Sequence, residues 1–97
     1  MNDNVLLTVN QRLFFPFRIH IMKILYNEGE TSFIDLRNRL NITNGNLVSH
    51  FRFLIDEDFV TFRKEIAGHR VSTVYSITGK GREEYQKFRK LVLEVLK

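Results

Sequence analysis

Cysteine is absent from the chain, which removes disulfides, thiolate nucleophiles and cysteine-ligated metals in one step. The three histidines, His20, His50 and His69, are far apart and never fall at a metal-ligand spacing, so no metal and no other cofactor is expected. No apolar run approaches the roughly 18 residues needed to cross a bilayer. The N-terminus lacks the basic stretch, apolar run and small-residue cleavage site of an export signal. A cytoplasmic protein with no membrane partner is therefore expected. Catalytic patterns are missing too. Spacing brings no Ser, His and acid together, no paired carboxylates suggest a cleft, and neither Gly29 nor the Gly79 and Gly81 pair belongs to a phosphate-binding motif. An enzyme is not expected.

What is present suits one small domain. With 97 residues, 43% of them hydrophobic, the chain can build one core but not two, so residues 1–97 read as a single domain. A chain of this size hides only roughly 60 to 65% of its extended surface on folding, so further burial in a dimer would help it. The net charge is +4 and the isoelectric point about 9.7, which is compatible with a polyanionic partner. Placement says more than the total. Arg37, Arg39 and Arg52 lie in a stretch from Leu36 to Ile55 that holds no acid, and Arg63, Lys64 and Arg70 surround Gly68. The acids gather at Glu28 and Glu30 and again from Asp56 to Asp58.

The period of the apolar residues sets the elements. Leu13, Phe14, Phe17, Ile21, Ile24 and Leu25 recur at spacings of three and four, which predicts an amphipathic helix. Pro16, the one proline, fits a first turn and disfavours helix before it, so the helix should start at Pro16 or Phe17, after a turn or short separate helix, and end at Gly29. Thr31 or Ser32 can cap a second, short helix, with Asp35 as reciprocal partner, and Asn41 closes it. Thr43 or Asn44 caps a third helix carrying Leu47, Val48, Phe51, Leu54 and Ile55. Phe59 to Phe62 and Val71 to Ile77 then read as the two strands of a hairpin whose tip spans roughly Glu65 to Arg70. Thr78 can cap a last helix over about 79–97. The order helix-helix-helix-strand-strand-helix, mainly α with a β-hairpin, is an α+β winged helix-turn-helix, because a lone hairpin needs the helical core for support.

A winged helix offers its third helix to the DNA major groove, where each base pair shows a different donor and acceptor pattern. At about 100° per residue, Leu47, Phe51 and Leu54 share one side, while Gly45, Asn46, Ser49, Arg52 and Phe53 spread over the opposite arc. Asn46 can read adenine, Ser49 a base edge or phosphate, and Arg52 guanine or the backbone. Gly45 allows close approach, and the free backbone donors at Asn44 and its neighbours can hold a phosphate. Asn44 and Asn46 serve equally as caps, and Arg52 could pair with Asp56 instead. His50 lies at the margin, suited to packing or to a DNA contact. A solvent-facing Phe53 suits a thymine methyl, a partner surface or a fold over the hairpin base. Arg63, Lys64, His69 and Arg70 on the hairpin and Arg37 and Arg39 on the second helix are candidates for phosphate contacts, with ordinary solvated surface as the alternative.

In the last helix, positions 85, 88, 92 and 95 follow the alternation of a coiled-coil seam. Tyr85, Phe88, Val92, Val95 and Leu96, with Leu6, Leu13 and Phe14 from a segment of about 5–15, are the candidates for a symmetric homodimer that would space two reading helices by about one DNA turn. Packing back on its own domain is the alternative for this helix.

From Pro16 to Tyr85 the chain resembles the MarR/ArsR-like winged-helix transcriptional regulators, especially their small archaeal and bacterial members. The likeness rests on Pro16 with Arg18 at the opening of the first long helix, on Thr43, Gly45, Asn46, Leu47, Ser49 and His50 in the third, and on Thr78, Gly81 and Arg82 after the hairpin. It implies a dimeric regulator that binds double-stranded DNA, often a repressor. Departures are local: Asp58 replaces the usual helix-end glycine, Phe59 the usual tyrosine, and the wing reads Gly68-His69-Arg70-Val71-Ser72-Thr73, one proline and one arginine short. The resemblance thus implies a wing that grips DNA less tightly.

Two other functions fit the same residues. A protein-interaction winged helix would use Phe53 and the wing, and a non-specific architectural protein would use the basic surface without sequence preference. A small-molecule effector is compatible with a regulator of this size, but no residue cluster indicates one.

Overall fold

The computed structural model describes residues 9–97. A 3-10 turn, Gln11–Leu13, leads into helix α1 (Pro16–Glu28), strand β1 (Thr31–Ser32), helices α2 (Phe33–Leu40) and α3 (Asn44–Asp56), strands β2 (Val60–Ala67) and β3 (Arg70–Ile77), and helix α4 (Gly79–Val95). The order is the expected one, with β1 added. This two-residue strand pairs antiparallel with β3, Thr31 opposite Tyr75 and Ser32 opposite Val74, making a three-stranded sheet in the order β1-β3-β2.

Local chemistry fixes the element boundaries. Phe15 is extended (φ −106°, ψ 129°), as the residue before a proline must be, and Pro16 opens α1. Ser32, not Thr31, caps α2 by accepting from the Asp35 amide at 3.1 Å. Thr43, not Asn44, caps α3 by accepting from the Asn46 amide at 3.2 Å. Between them α2 ends at Asn41, in the left-handed region at φ 50°. The Ile42 amide there returns to the Arg37 carbonyl and the Asn41 amide to that of Asn38, both at 3.3 Å. The end of α3 repeats this arrangement. Asp58 takes φ 61°, and the Asp58 and Phe59 amides reach the Ile55 and Leu54 carbonyls at 2.9 Å.

The junction with α4 is built around Thr78. Its amide donates to the Phe59 carbonyl at 3.0 Å, its hydroxyl donates to the Asp58 carbonyl at 2.6 Å, and the same oxygen accepts from the Gly81 amide at 2.9 Å. At Gly81 the helix runs so close to the Phe59 backbone that a Cβ would overlap the Phe59 carbonyl oxygen. Only glycine fits there.

The core joins all the helices to the base of the sheet: Ile21, Met22 and Leu25 from α1, Leu36 from α2, Leu47, Phe51 and Leu54 from α3, and Phe59 and Val60 at the sheet. Phe51 stacks on Tyr75 of β3, with centroids 3.7 Å apart and planes 8° from parallel, which locks α3 against the hairpin. Burying a side chain of this size contributes about 1.5 to 3 kcal/mol.

Several expectations require correction. Leu13 is 1% exposed and Tyr85 7% exposed, so both belong to the domain's own core; Tyr85 packs on Tyr26 at 4.9 Å. Phe53 is buried, because two arginines cover the flank of α3 on which it lies. Val48, grouped by spacing with the core residues, is exposed. The hairpin strands run on to Ala67 and Arg70, which pair, so the tip is the two-residue turn Gly68-His69. Gly68 has φ 64°, which suits the first position of such a turn. Leu6 lies outside the described residues.

Candidate nucleic-acid interface

Helix α3 presents Gly45, Asn46, Val48, Ser49, Arg52 and Asp56 to solvent. No hydrogen bond or ion pair among the described residues engages the side chains of Asn46, Ser49 or Arg52, and the alternative pair between Arg52 and Asp56 does not form. Nothing lies within 4 Å of a Cβ placed at Gly45, so no steric need inside the fold demands glycine there. Asn44 occupies the first helical position, and its side-chain oxygen accepts from Arg37 Nη1 at 3.2 Å. Arg37 also reaches the Asn38 amide oxygen at 3.2 Å. Both partners are neutral, so among the described residues no acid pairs with this arginine beside the start of α3.

Strand pairing decides which hairpin residues face α3. Phe62 lies opposite Tyr75, whose ring stacks on Phe51. The alternation of a strand then puts Phe62, Lys64, Ile66, Val71, Thr73 and Tyr75 on the α3 side and Arg63 and Glu65 on the other. Lys64 Nζ donates to Thr73 Oγ1 at 2.6 Å and has no acidic partner among the described residues. His69 and Arg70 stand exposed at the tip, also unpaired among those residues. An open groove runs between the helix and the hairpin, lined by Val48, Phe51, Arg52, Ile55, Phe62 and Lys64 among others.

Two of the arginines expected at this surface are held elsewhere. Arg39 forms a two-pronged pair with Glu28 at 2.7 and 2.6 Å and lies 3.7 Å from Asp35; the Glu28 bonds drive its pKa well above the ordinary arginine value. Arg63 pairs with Glu30 at 2.9 Å and with Glu65 at 3.4 Å. Neither is a free cation. Phe53, expected to face solvent, is 6% exposed: the Arg18 and Arg12 guanidiniums lie 4.0 and 5.0 Å from its ring centre, and its edge meets Phe59.

His50 lies on the flank of α3 away from the hairpin. Arg18 Nε donates to His50 Nδ1 at 3.2 Å, and Phe17 and Phe15 stand 5.7 and 6.5 Å from the imidazole. Burial, then the Arg18 charge, pushes the imidazole pKa below the ordinary histidine value. Sequence reasoning missed Val48, Phe62, Thr73 and Arg18 as parts of this region. For Val48 the helical angle alone would have shown it, since position 48 lies within one-sixth of a turn of position 45 at about 100° per residue. The other three depend on strand register and on where α1 lands.

The dimer candidates divide. Phe88 is half-buried against Phe14 at 5.3 Å and Tyr85 at 6.3 Å, and Val92 is half-buried. Phe14, Val95 and Leu96 are 40%, 50% and 76% exposed, and Leu93, which the spacing does not single out, is 65% exposed. The segment before α1 is tied to α4, because the Asn10 amide donates to the buried Glu84 Oε1 at 2.6 Å.

A helix-turn-helix with an acid-poor outer face, flanked by a β-hairpin with a basic tip, defines the class of DNA-binding winged-helix regulators. The chain belongs to the winged helix DNA-binding domain family, whose pattern matches residues 17–96. It is 34% identical over 80 residues to an uncharacterised protein of Methanocaldococcus jannaschii, across 82% of this chain and 87% of that one. It is similar to a transcriptional regulator homologue from Pyrococcus horikoshii OT3, with a TM-score of 0.80, 33% identity, and coverage of 87% of this chain and 83% of the other. At the level of fold it is also similar to Bacillus subtilis PadR in complex with operator DNA, with a TM-score of 0.67 and 22% identity over 78% of this chain and 47% of that one. A zinc-responsive MarR family member, ZitR of Lactococcus lactis, gives the same TM-score at 17% identity over 86% and 56% of the two chains. The resemblance to winged-helix regulators read from the motif residues is thus borne out for family and fold. No helix of the described residues is long and apolar enough to cross a membrane.

Proposed function

We propose that the chain is a homodimeric transcriptional regulator that binds specific double-stranded DNA sites in the cytoplasm, as a repressor and without enzymatic activity. The observation that carries this reading is the outer arc of α3. Asn46, Ser49 and Arg52 are exposed there with no intramolecular partner among the described residues, whereas Arg39 and Arg63 are neutralised by acids. Side chains that can hydrogen-bond to base edges stay available, and Gly45 lets the helix start approach the duplex closely. Arg37 and Lys64 flank the arc as positioning contacts to phosphate, and Arg70 and His69 reach the next stretch of backbone or the minor groove. The operator-bound state of the structurally similar PadR supports DNA as the partner.

For the dimer, Phe14 and the exposed Leu93, Val95 and Leu96 supply apolar surface at the end of α4 that one copy leaves in water. Two copies related by a twofold axis would then read two half-sites.

The roles separate in a titration of labelled duplexes. Arg52→Ala lowers affinity for the matched site by about 1 to 3 kcal/mol and relaxes preference at one or two base pairs. Arg70→Ala weakens matched and scrambled duplexes alike and lowers the salt slope by about 1. The reverse pattern would show that reading and positioning were assigned to the wrong residues.

A further inference from the structure

Arg18 makes more contacts than a residue opening a surface helix needs. Its Nη1 donates to the Arg12 carbonyl at 2.7 Å, its guanidinium lies between the Phe15 and Phe53 rings, 4.3 and 4.0 Å from their centres, and its Nε donates to His50 Nδ1 at 3.2 Å. A guanidinium can only donate, so His50 Nδ1 must carry a lone pair and the single ring proton must sit on Nε2. The charged group that faces this imidazole is Arg18 from α1. The acid in the cluster, Glu57, contacts Arg12 at 3.9 Å rather than His50. Burial and the Arg18 charge oppose a second ring proton. His50 Nε2 has no partner among the described residues, and its ring borders the outer arc of α3 one residue beyond Ser49.

We propose that Arg18 is a positioning residue for DNA recognition: it holds His50 as the neutral Nε2–H tautomer, so that α3 offers a fixed, uncharged donor to a backbone phosphodiester beside the reading face. The assignment rests on α3 being the reading helix. Its place on the flank, next to the exposed Phe15 and Phe17 and away from the hairpin, puts His50 beside the phosphate strand rather than over base edges. A guanidinium fork held against two rings fixes direction in a way a lysine cannot. Because the Nδ1 lone pair is occupied, DNA binding takes up no proton at His50.

Two measurements test this together. Long-range proton–nitrogen NMR of the free protein at pH 7 is expected to show His50 protonated at Nε2 alone. In Arg18→Met the tautomers mix and the imidazole pKa rises toward the ordinary value. In duplex titrations His50→Ala is expected to lose about tenfold in affinity, the worth of one hydrogen bond to a charged acceptor. His50→Gln, whose amide nitrogen can reach the Nε2 position, keeps most of it. Between pH 8 and 6 the affinity of Arg18→Met rises more than that of the wild type, a comparison in which His20 and His69 cancel. Amide spectra confirm that each variant is folded, with Arg18→Leu, which also removes the donor and the charge, as the second variant should the methionine disturb packing. An Nδ1–H tautomer or a charged His50 in the wild type overturns the proposal, as does wild-type affinity in His50→Ala or identical pH profiles in wild type and variant. Failure of the wild type to bind any duplex overturns the phosphate contact together with the functional reading; the tautomer result then shows which failed, because it is obtained without DNA.

Discussion

At the scale of single residues, Arg39, Arg52 and Arg63 carry the same charge in the sequence and have different fates. Arg52 has no partner among the described residues, while Arg39 and Arg63 reach Glu28 and Glu30 across 11 and 33 residues of chain. Composition and helical angle identify Arg52 as outward. The long-range pairs depend on how α1 and the hairpin dock, which no local pattern encodes. Asp58 shows the opposite case. Its departure from the usual glycine is visible in the sequence, and the structure supplies the consequence, a left-handed φ of 61° that an L-residue adopts at a cost of about 1 kcal/mol. Asp58→Gly is expected to raise stability by about that amount in urea denaturation, with an unchanged m-value. No gain would mean that the aspartate side chain offsets the strain.

At the scale of elements, helix boundaries were legible because caps and stops are local. Pro16, Ser32, Asn41 and Thr43 each act within four residues of themselves, and so does Thr78 as the cap of α4, although it also ties that helix to Asp58 and Phe59. Strand β1 was not legible, since two residues give no alternation to read and their partner Tyr75 lies far along the chain. Phe53 departs from expectation for a related reason: helical geometry places it outward, and the 3-10 turn and the first turn of α1 bring Arg12 and Arg18 over it. It should therefore behave as a core residue, and Phe53→Ala is expected to cost about 3 kcal/mol in equilibrium unfolding. Gly81 sits on the Phe59 backbone, so Gly81→Ala should cost a similar amount, about 3 kcal/mol, by forcing α4 away from the hairpin base. A loss below 0.5 kcal/mol in either variant would show that the α3–α4 junction is looser than described.

At the scale of the whole molecule, the three-four spacing along α4 combines two faces. Tyr85 belongs to the protein's own core, and Phe88 packs against that core with Phe14. Val95 and Leu96 extend past it, and Leu93, off that spacing, is exposed beside them. Period identifies an apolar stripe but cannot say which turns are covered within one chain. The proposed dimer is tested at the exposed end, where substitution leaves the core intact: Leu93→Glu with Leu96→Glu should give monomers in sedimentation velocity with unchanged far-UV dichroism. A persisting dimer would move the interface elsewhere.

The proposed recognition of specific DNA by two copies of α3 is tested by selecting bound duplexes from a randomised pool at physiological salt. The expected result is an inverted repeat whose half-sites lie about one helical turn apart, roughly 10 base pairs. Retention of duplexes without any shared motif, or no retention at all, would contradict it.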